Sequence, residues 1–109
     1  MDHQQFKQFV RSSVESSLSL LGENSKKAII IHFMKNYNLK TFDDVSEFPS
    51  EFETFLGALF GYGSSVLMRA IIRDMFEKLD IEVSTMDMNF SDAVRELKKM
   101  LMPEASNTL

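Results

Sequence analysis

The sequence predicts an all-α fold, a single compact bundle of about five helices. Apolar residues recur every three or four positions along most of the chain, which places them on one face of a helix. Three of the four glycines and both prolines stand between those stretches, where helices are expected to stop. We assign residues 1–102 to one helical domain and residues 103–109 to a flexible C-terminal tail. The predicted helices cover residues 4–21, 25–37, 50–60, 64–79 and 90–102.

The first helix is predicted from one apolar stripe. Its members are Phe6, Val10, Val14, Leu18 and Leu21. Ser13 and Ser17 fall on or beside the stripe, where small side chains favour the close approach of another helix. Gly22 then predicts a helix end with positive φ, and Asn24 or Ser25 is the expected N-cap of the second helix.

The second helix is apolar almost all round, which predicts a central position in the bundle. Ile30 and Phe33 lie on one face, and Ile31 extends the apolar surface to the other side. The three consecutive isoleucines leave a buried strand over residues 28–34 as the alternative. His32 has no positioned partner and is interpreted as a residue at the core edge rather than a ligand or base.

Residues 38–50 lose the helical period and predict the main loop. This loop and the residues just after it contain five carboxylates and only one lysine, Lys40. The carboxylates are Asp43, Asp44, Glu47, Glu51 and Glu53. Carboxylates are calcium ligands, so cation binding by residues 43–53 is left open. Their spacing does not fit an EF-hand loop, and a solvated acidic edge is the favoured interpretation. The apolar residues recur every three positions, which predicts a short helical turn pinned to the core.

The third and fourth helices are predicted to meet at a corner containing two glycines. Ser50 and Glu53 have the spacing of a capping box at the start of the third helix. Gly61 is expected to end that helix in the left-handed αL conformation. Gly63 or Ser64 then serves as the N-cap of the fourth helix.

The last two helices follow from clear apolar stripes. The fourth carries Leu67, Met68, Ile71, Ile72, Met75, Phe76 and Leu79. Its opposite face is charged, and Arg73 and Glu77 are predicted to pair at a spacing of four. Asn89 or Ser91 is the expected cap of the fifth helix, and Pro103 its end.

Composition excludes several classes of chemistry. The chain has no cysteine, which rules out disulfides, thiolate zinc sites and a cysteine nucleophile. A net charge of −4 argues against nucleic acid as a partner. The longest apolar run, residues 28–31, is far shorter than the ~20 residues of a membrane span. The N-terminus lacks the basic and apolar regions of a secretory signal, so the expected location is cytoplasmic. No cofactor, metal or membrane partner is predicted, and His3 is expected to lie in a mobile terminus.

Several short runs resemble a small archaeal family, the Nitrosopumilus output domain family, type five. The resemblance covers residues 12 to 82. It is carried by Leu20-Leu21-Gly22-Glu23-Asn24, Ala28-Ile29-Ile30, His32-Phe33, Phe52, Phe55, Leu59-Phe60-Gly61-Tyr62-Gly63 and Ile71-Ile72 through Leu79. It implies an output or accessory role in signalling or regulation, and it implies no catalytic residue.

The favoured function is a non-enzymatic interaction module that self-associates as a homodimer or other homo-oligomer, with a protein partner also possible. The candidate interaction surface consists of Tyr62, Met86, Met88, Met100 and Met102. Methionines adapt readily to a packed partner, although core packing explains them equally well. For Tyr62, packing over the helix junction is favoured over a partner contact.

Two other classes are weighed against this function. A helix-turn-helix regulator of DNA is the alternative, with the helices at 52–60 and 64–79 as its two helices, but the second offers no cation before Arg69. An enzyme is disfavoured, because Gly61-Tyr62-Gly63 lacks the third glycine of a dinucleotide loop and no Ser-His-acid spacing is present. No catalytic, cofactor-binding or metal residue is predicted.

Overall fold

Five α-helices form the fold of this protein in a computed structural model, which describes residues 1–82 and 88–102. The helices are α1 (His3–Leu18), α2 (Glu23–Asn36), α3 (Pro49–Phe60), α4 (Ser64–Lys78) and α5 (Phe90–Leu101). Three 3₁₀ segments connect them, at Ser19–Leu21, Phe42–Glu47 and Gly61–Gly63. The described ranges contain no strand, so the predicted all-α bundle is confirmed and the strand alternative for residues 28–34 is wrong. The predicted tail at 103–109 lies outside the described residues.

Helix α1 lies at the centre and packs chiefly against α4 and the Phe42–Glu47 segment. Ser13 and Ser17 are buried, as the small-residue pattern predicts. Its first turn is closed by an unpredicted capping box in which the Gln5 N–H donates to Asp2 Oδ1 at 2.8 Å and the Asp2 N–H to Gln5 Oε1 at 3.0 Å. His3 is therefore the first residue of a capped helix, not part of a loose terminus.

Helix α2 lies at the edge of the bundle, which corrects the prediction that it is central. Only Ile29 and Phe33 are buried, whereas Ile31 is 52% exposed and Ala28 is also exposed. The reason is that α2 meets the core along one face only. Ile30 and Met34 are partly buried and pack against the core on that face, whereas Ala28 and Ile31 lie on the surface.

The Gly22 turn fixes where α2 begins. Gly22 has a φ of +95° and holds the N-cap position, so the helix starts at the next residue, Glu23. Asn24 and Ser25 lie inside the first turn and cap nothing, contrary to prediction. Leu21, assigned to the buried stripe of α1, is partly exposed because the 3₁₀ turn rotates it away from the core.

Phe33 is the centre of an aromatic cluster that holds α2 to the rest of the fold. Its ring centroid lies 4.9 Å from Tyr37, 5.0 Å from Phe52, 5.4 Å from Phe55 and 6.2 Å from Phe42. Phe42 comes from the 3₁₀ segment, whose period of three residues explains the spacing seen in the loop. The predicted helical turn pinned to the core is confirmed there.

The start of α3 differs from the predicted capping box. The helix begins at Pro49, whose fixed φ suits the first helical position, so Ser50 already lies inside the helix. The Glu53 carboxylate reaches forward to α5, where it accepts from the Ser91 N–H at 2.6 Å and the Ser91 hydroxyl at 2.8 Å. Asn89 caps α5, since its Oδ1 accepts from the Asp92 N–H at 2.7 Å.

The predicted ion pair on α4 is replaced by another. Arg73 and Glu77 do not pair within the described ranges, and the salt bridge on this helix joins Lys78 Nζ to Asp74 Oδ2 at 2.9 Å. The predicted apolar stripe of α4 is otherwise found in the core, where Leu67, Ile71, Ile72, Met75 and Phe76 are buried.

One stretch, Pro49–Lys78, is long and apolar enough by length and composition to cross a membrane. In the fold it consists of two helices, α3 and α4, which meet at Gly61 and pack against each other. Only 28% of its most apolar window is buried inside the bundle. Much of this apolar surface therefore faces outward.

Candidate functional site

The predicted interaction residues that the structure describes differ widely in exposure. Tyr62 is fully exposed and Met100 is about half exposed. Met88 packs against the core, and Met102 belongs to the core with 6% exposure, so Met102 offers almost no surface to a partner. The Met102 N–H donates to the Lys98 carbonyl at 2.9 Å, which continues the helical hydrogen bonding to the end of α5. Met86 lies outside the described residues.

Four of the exposed large apolar side chains lie together in sequence at the corner between α3 and α4. We call this surface the corner patch, and its residues are Leu59, Phe60, Tyr62 and Val66. Tyr62 is 100% exposed, which corrects the prediction that its ring packs over the helix junction. Val66 is 66% exposed on the first turn of α4. Apolar side chains this exposed have no role in the core of the bundle.

The backbone of the corner explains why these side chains point outward. Gly61 has a φ of +56° and a ψ of −128°, so its φ is positive as predicted but its conformation is not αL. The Ser64 hydroxyl donates to the Gly61 carbonyl at 2.8 Å, and the Ser65 hydroxyl to the Tyr62 carbonyl at 2.9 Å. These two serine hydroxyls stabilise the backbone of the corner and do not cap α4. The N-cap position of α4 is held by Gly63.

The size of the corner patch limits what it can bind. A fully exposed aromatic side chain such as Tyr62 offers about 150–250 Å², so with the exposed parts of Leu59, Phe60 and Val66 the patch presents on the order of 500 Å², most of it apolar. This equals the largest patches on ordinary monomers, about 300–600 Å², which are often functional. It is smaller than the roughly 800 Å² per partner of a standard interface. The patch alone therefore fits a weak, reversible contact.

The corner patch continues into an apolar groove between α2 and α3. We call this the α2–α3 groove. It has a volume of about 510 Å³ and is lined by Ser25, Ala28, Ile29, His32, Asn36, Phe55, Leu59 and Phe60. Ile29 and Phe55 form its floor, with 6% and 8% exposure. The groove exists because α2 packs against the core along one face, which leaves the adjoining face with Ala28 and His32 uncovered.

His32 lies in the α2–α3 groove and not at the core edge. It is exposed, and its groove neighbours Ser25 and Asn36 are uncharged. Within residues 1–82 and 88–102, no three His, Asp or Glu side chains are grouped as metal ligands. The groove therefore offers apolar contact and a few hydrogen-bonding groups.

Three carboxylates of the acidic loop pair with cations of α1, so the predicted acidic edge is only partly solvated. Lys7 Nζ lies 2.9 Å from Asp44 Oδ1 and 3.1 Å from Glu47 Oε1. Arg11 Nη1 lies 3.0 Å from Asp43 Oδ1. Both cations come from α1, four residues apart on the face that packs against the loop. The carboxylates thus hold the loop to α1.

These ion pairs make a prediction for alkaline pH. Hydrogen bonds to Asp44 and then Glu47 raise the pKa of Lys7 above its ordinary value of 10.5. The pKa of Lys7 is therefore higher in the folded state than in the unfolded state. The ion pairs stabilise the fold fully below pH 10.5, and this contribution is lost as the pH rises through the folded-state pKa. We expect Lys7→Met to cost about 0.2–1 kcal/mol at neutral pH.

Urea denaturation of both proteins at neutral pH and well above pH 10.5 measures this effect. The difference in unfolding free energy between wild type and Lys7→Met should shrink at the higher pH. An equal difference at both pH values would contradict the pairing.

The fold and the site together define a small all-α bundle with an exposed apolar corner and an adjoining groove. Comparison with family models, with curated proteins and with solved structures gives no match. The resemblance to the Nitrosopumilus output domain family therefore stays a prediction.

Sequence reasoning identified Tyr62 but missed the rest of the corner patch and the whole groove. One signal was available, since residues 54–68 contain no charged side chain. In a chain with 26% charged residues, such an interval is long, and it surrounds the corner. The sequence contains no comparable signal for the groove. The groove depends on how much of the α2 surface is covered by the core, which the sequence alone does not show.

Proposed function

We propose that this protein is a non-enzymatic interaction module that self-associates through the corner patch. The observation that carries the proposal is the full exposure of Tyr62 beside Leu59, Phe60 and Val66, in an interval without charge. Two copies with a net charge of −4 repel each other at long range. An uncharged apolar patch is where such copies can meet with least electrostatic cost. We place the module in the cytoplasm, in keeping with an output or accessory role.

Sedimentation velocity over a range of protein concentrations tests this proposal. We expect a reversible dimer with a dissociation constant in the micromolar range or weaker, given the size of the patch. Tyr62→Ser combined with Val66→Ser should weaken the dimer at least about tenfold, because exposed anchors at the centre of an interface dominate its energy.

Met100→Ser provides a matched control for this experiment. It removes an exposed apolar side chain from α5, outside the corner patch, and should leave the dimer unchanged. A wild-type protein that stays monomeric at high concentration would overturn the proposal. Dissociation by Met100→Ser alone would assign the contact to α5 instead.

DNA binding through α3 and α4 is less favoured. Arg69 and Arg73 are exposed on α4, but the helix begins with Ser65 and Val66 at its surface. The Glu53 side chain lines the cavity at the start of α4, together with Ser64, Ser65 and Arg69. A carboxylate at this position repels phosphate, whereas a reading helix needs donors and cations there.

A further inference from the structure

We propose that the cavity at the start of α4 binds a small zwitterion, an α-amino acid with an apolar side chain. We call it the α4 cavity, and it is lined by residues of α3, of α4 and of the segment that leads into α5. Its volume of about 360 Å³ lies at the lower end of the range of ligand pockets, which suits a small molecule. This inference goes beyond self-association and does not depend on it.

The α4 cavity contains one carboxylate and one guanidinium that are not paired with each other. Glu53 and Arg69 both line it. Within residues 1–82 and 88–102, neither side chain has an opposite charge within ion-pair distance. A ligand that satisfies both carries an ammonium and a carboxylate. A purely anionic ligand is repelled by Glu53, and a purely cationic one by Arg69.

Three hydrogen-bond acceptors in the cavity suit the ammonium group. Glu53 Oε1 accepts from the Ser91 N–H at 2.6 Å and the Ser91 hydroxyl at 2.8 Å, which fixes the carboxylate. Its second oxygen, Oε2, accepts no hydrogen bond from the described part of the chain, and it remains for a ligand. The hydroxyls of Ser64 and Ser65 donate to backbone carbonyls of the corner, so their oxygens remain as acceptors. An ammonium has three N–H donors, which matches this set.

Arg69 and Asn89 supply the donors for the carboxylate group. Arg69 follows Ser65 by four residues, so it lies one turn further along the same face of α4. A guanidinium can bind a carboxylate through two parallel N–H bonds. The Asn89 side chain uses its oxygen to cap α5 at 2.7 Å, which leaves its amide N–H groups to donate to a ligand.

Three apolar residues line the cavity beside these polar groups. Ile72 is 1% exposed, and Met68 and Met88 pack partly buried against the core. Methionine side chains adapt to the shape of what they contact. The cavity therefore offers an apolar surface to the side chain of the amino acid.

NMR titrations with L-leucine and two analogues test the proposal. Isoamylamine is leucine without the carboxylate, and isocaproate is leucine without the ammonium. We expect leucine to bind with a dissociation constant of about a millimolar or tighter. Each analogue should bind at least about tenfold more weakly, because it lacks one charge-assisted contact. No binding of leucine, or equal binding of leucine and either analogue, would overturn the proposal.

Glycine tests the role of the apolar residues in the same assay. It keeps both charges of leucine and has no side chain to bury. We expect it to bind at least about tenfold more weakly than leucine, since each buried methylene contributes to affinity. Equal binding of glycine and leucine would contradict the choice of an apolar amino acid.

Conservative variants locate the binding. Arg69→Gln and Glu53→Gln each remove one charge, and the amide of the second variant retains an oxygen that can accept from the Ser91 N–H. Each should weaken leucine binding by about tenfold or more. Arg73→Gln and Glu51→Gln make the same charge changes on the same two helices, outside the residues that line the cavity, and should leave binding unchanged. Unchanged binding in Arg69→Gln and Glu53→Gln would contradict this location.

The inference can fail independently of self-association. Tyr62→Ser with Val66→Ser should still bind leucine, whereas Arg69→Gln should still form the dimer in sedimentation velocity. Leucine binding that is lost only in the protein with Tyr62→Ser and Val66→Ser would assign it to the corner patch and overturn the proposal.

Discussion

Phe33→Ala is expected to lower the free energy of unfolding by about 3–5 kcal/mol, the usual cost of removing a buried phenylalanine. Phe33 is completely buried, and its ring contacts those of Tyr37, Phe42, Phe52 and Phe55. The substitution leaves a cavity where α2, α3 and the 3₁₀ segment meet. Since a domain of this size is stable by only about 5–15 kcal/mol, the variant should be close to unfolding. Urea denaturation followed by circular dichroism measures the loss.

A milder substitution and a matched control keep this prediction testable. Phe33→Leu retains apolar volume and loses the ring contacts, each worth about 0.5–1.5 kcal/mol, so its effect should be intermediate. Tyr62→Ala removes an aromatic ring that is fully exposed and should change stability by no more than about 0.5 kcal/mol. If Phe33→Ala were no more harmful than Tyr62→Ala, Phe33 would not be the centre of the core.

Gly61→Val is expected to destabilise the fold by about 1–3 kcal/mol through the backbone alone. Gly61 has a positive φ with an extended ψ, a combination that a β-branched residue resists. No atom of the surrounding fold lies within 4 Å of the position that a Cβ would take, so a clash with more distant residues does not contribute. The loss should appear as a lower melting temperature with an unchanged helical spectrum at low temperature.

Gly63→Ala is the matched control for Gly61→Val. Gly63 has a φ of −63° and a ψ of −22°, which alanine adopts easily, and its Cβ would lie 3.7 Å from the Phe60 Cβ. We expect this variant to be neutral or to gain about 0.4–1 kcal/mol, because alanine has less freedom in the unfolded chain. Equal destabilisation by both variants would mean that the corner is limited by space and not by φ.

The sequence was sufficient to predict the helices, because their apolar stripes repeat at the helical period and glycine or proline stands at most of their ends. The same rules failed at the caps. Ser50 and Glu53 have the spacing of a capping box, yet Pro49 starts α3 one residue earlier and the Glu53 carboxylate binds Ser91 on α5. Local spacing carries no information on a partner 38 residues away.

The candidate site was less predictable than the fold, because exposure depends on packing between helices. Ile31 and Phe33 are similar in sequence context, but only Phe33 faces the aromatic cluster. Tyr62 was predicted to cover the corner and instead lies fully in solvent. Ile31 and Tyr62 are exposed because few residues of the fold lie close enough to cover them. Ile31 lies on the edge helix α2, and Tyr62 lies at the tight corner between α3 and α4.

Crosslinking at single introduced cysteines tests most directly whether the corner patch joins two copies of this protein. The chain contains no cysteine, so Ser65→Cys places one reactive thiol beside Tyr62 and Lys98→Cys places one on α5. With a short bis-maleimide reagent, we predict covalent dimers from Ser65→Cys at concentrations where the wild type self-associates, and monomers from Lys98→Cys. Dimers from Lys98→Cys alone, or from neither variant, would contradict self-association through the corner patch.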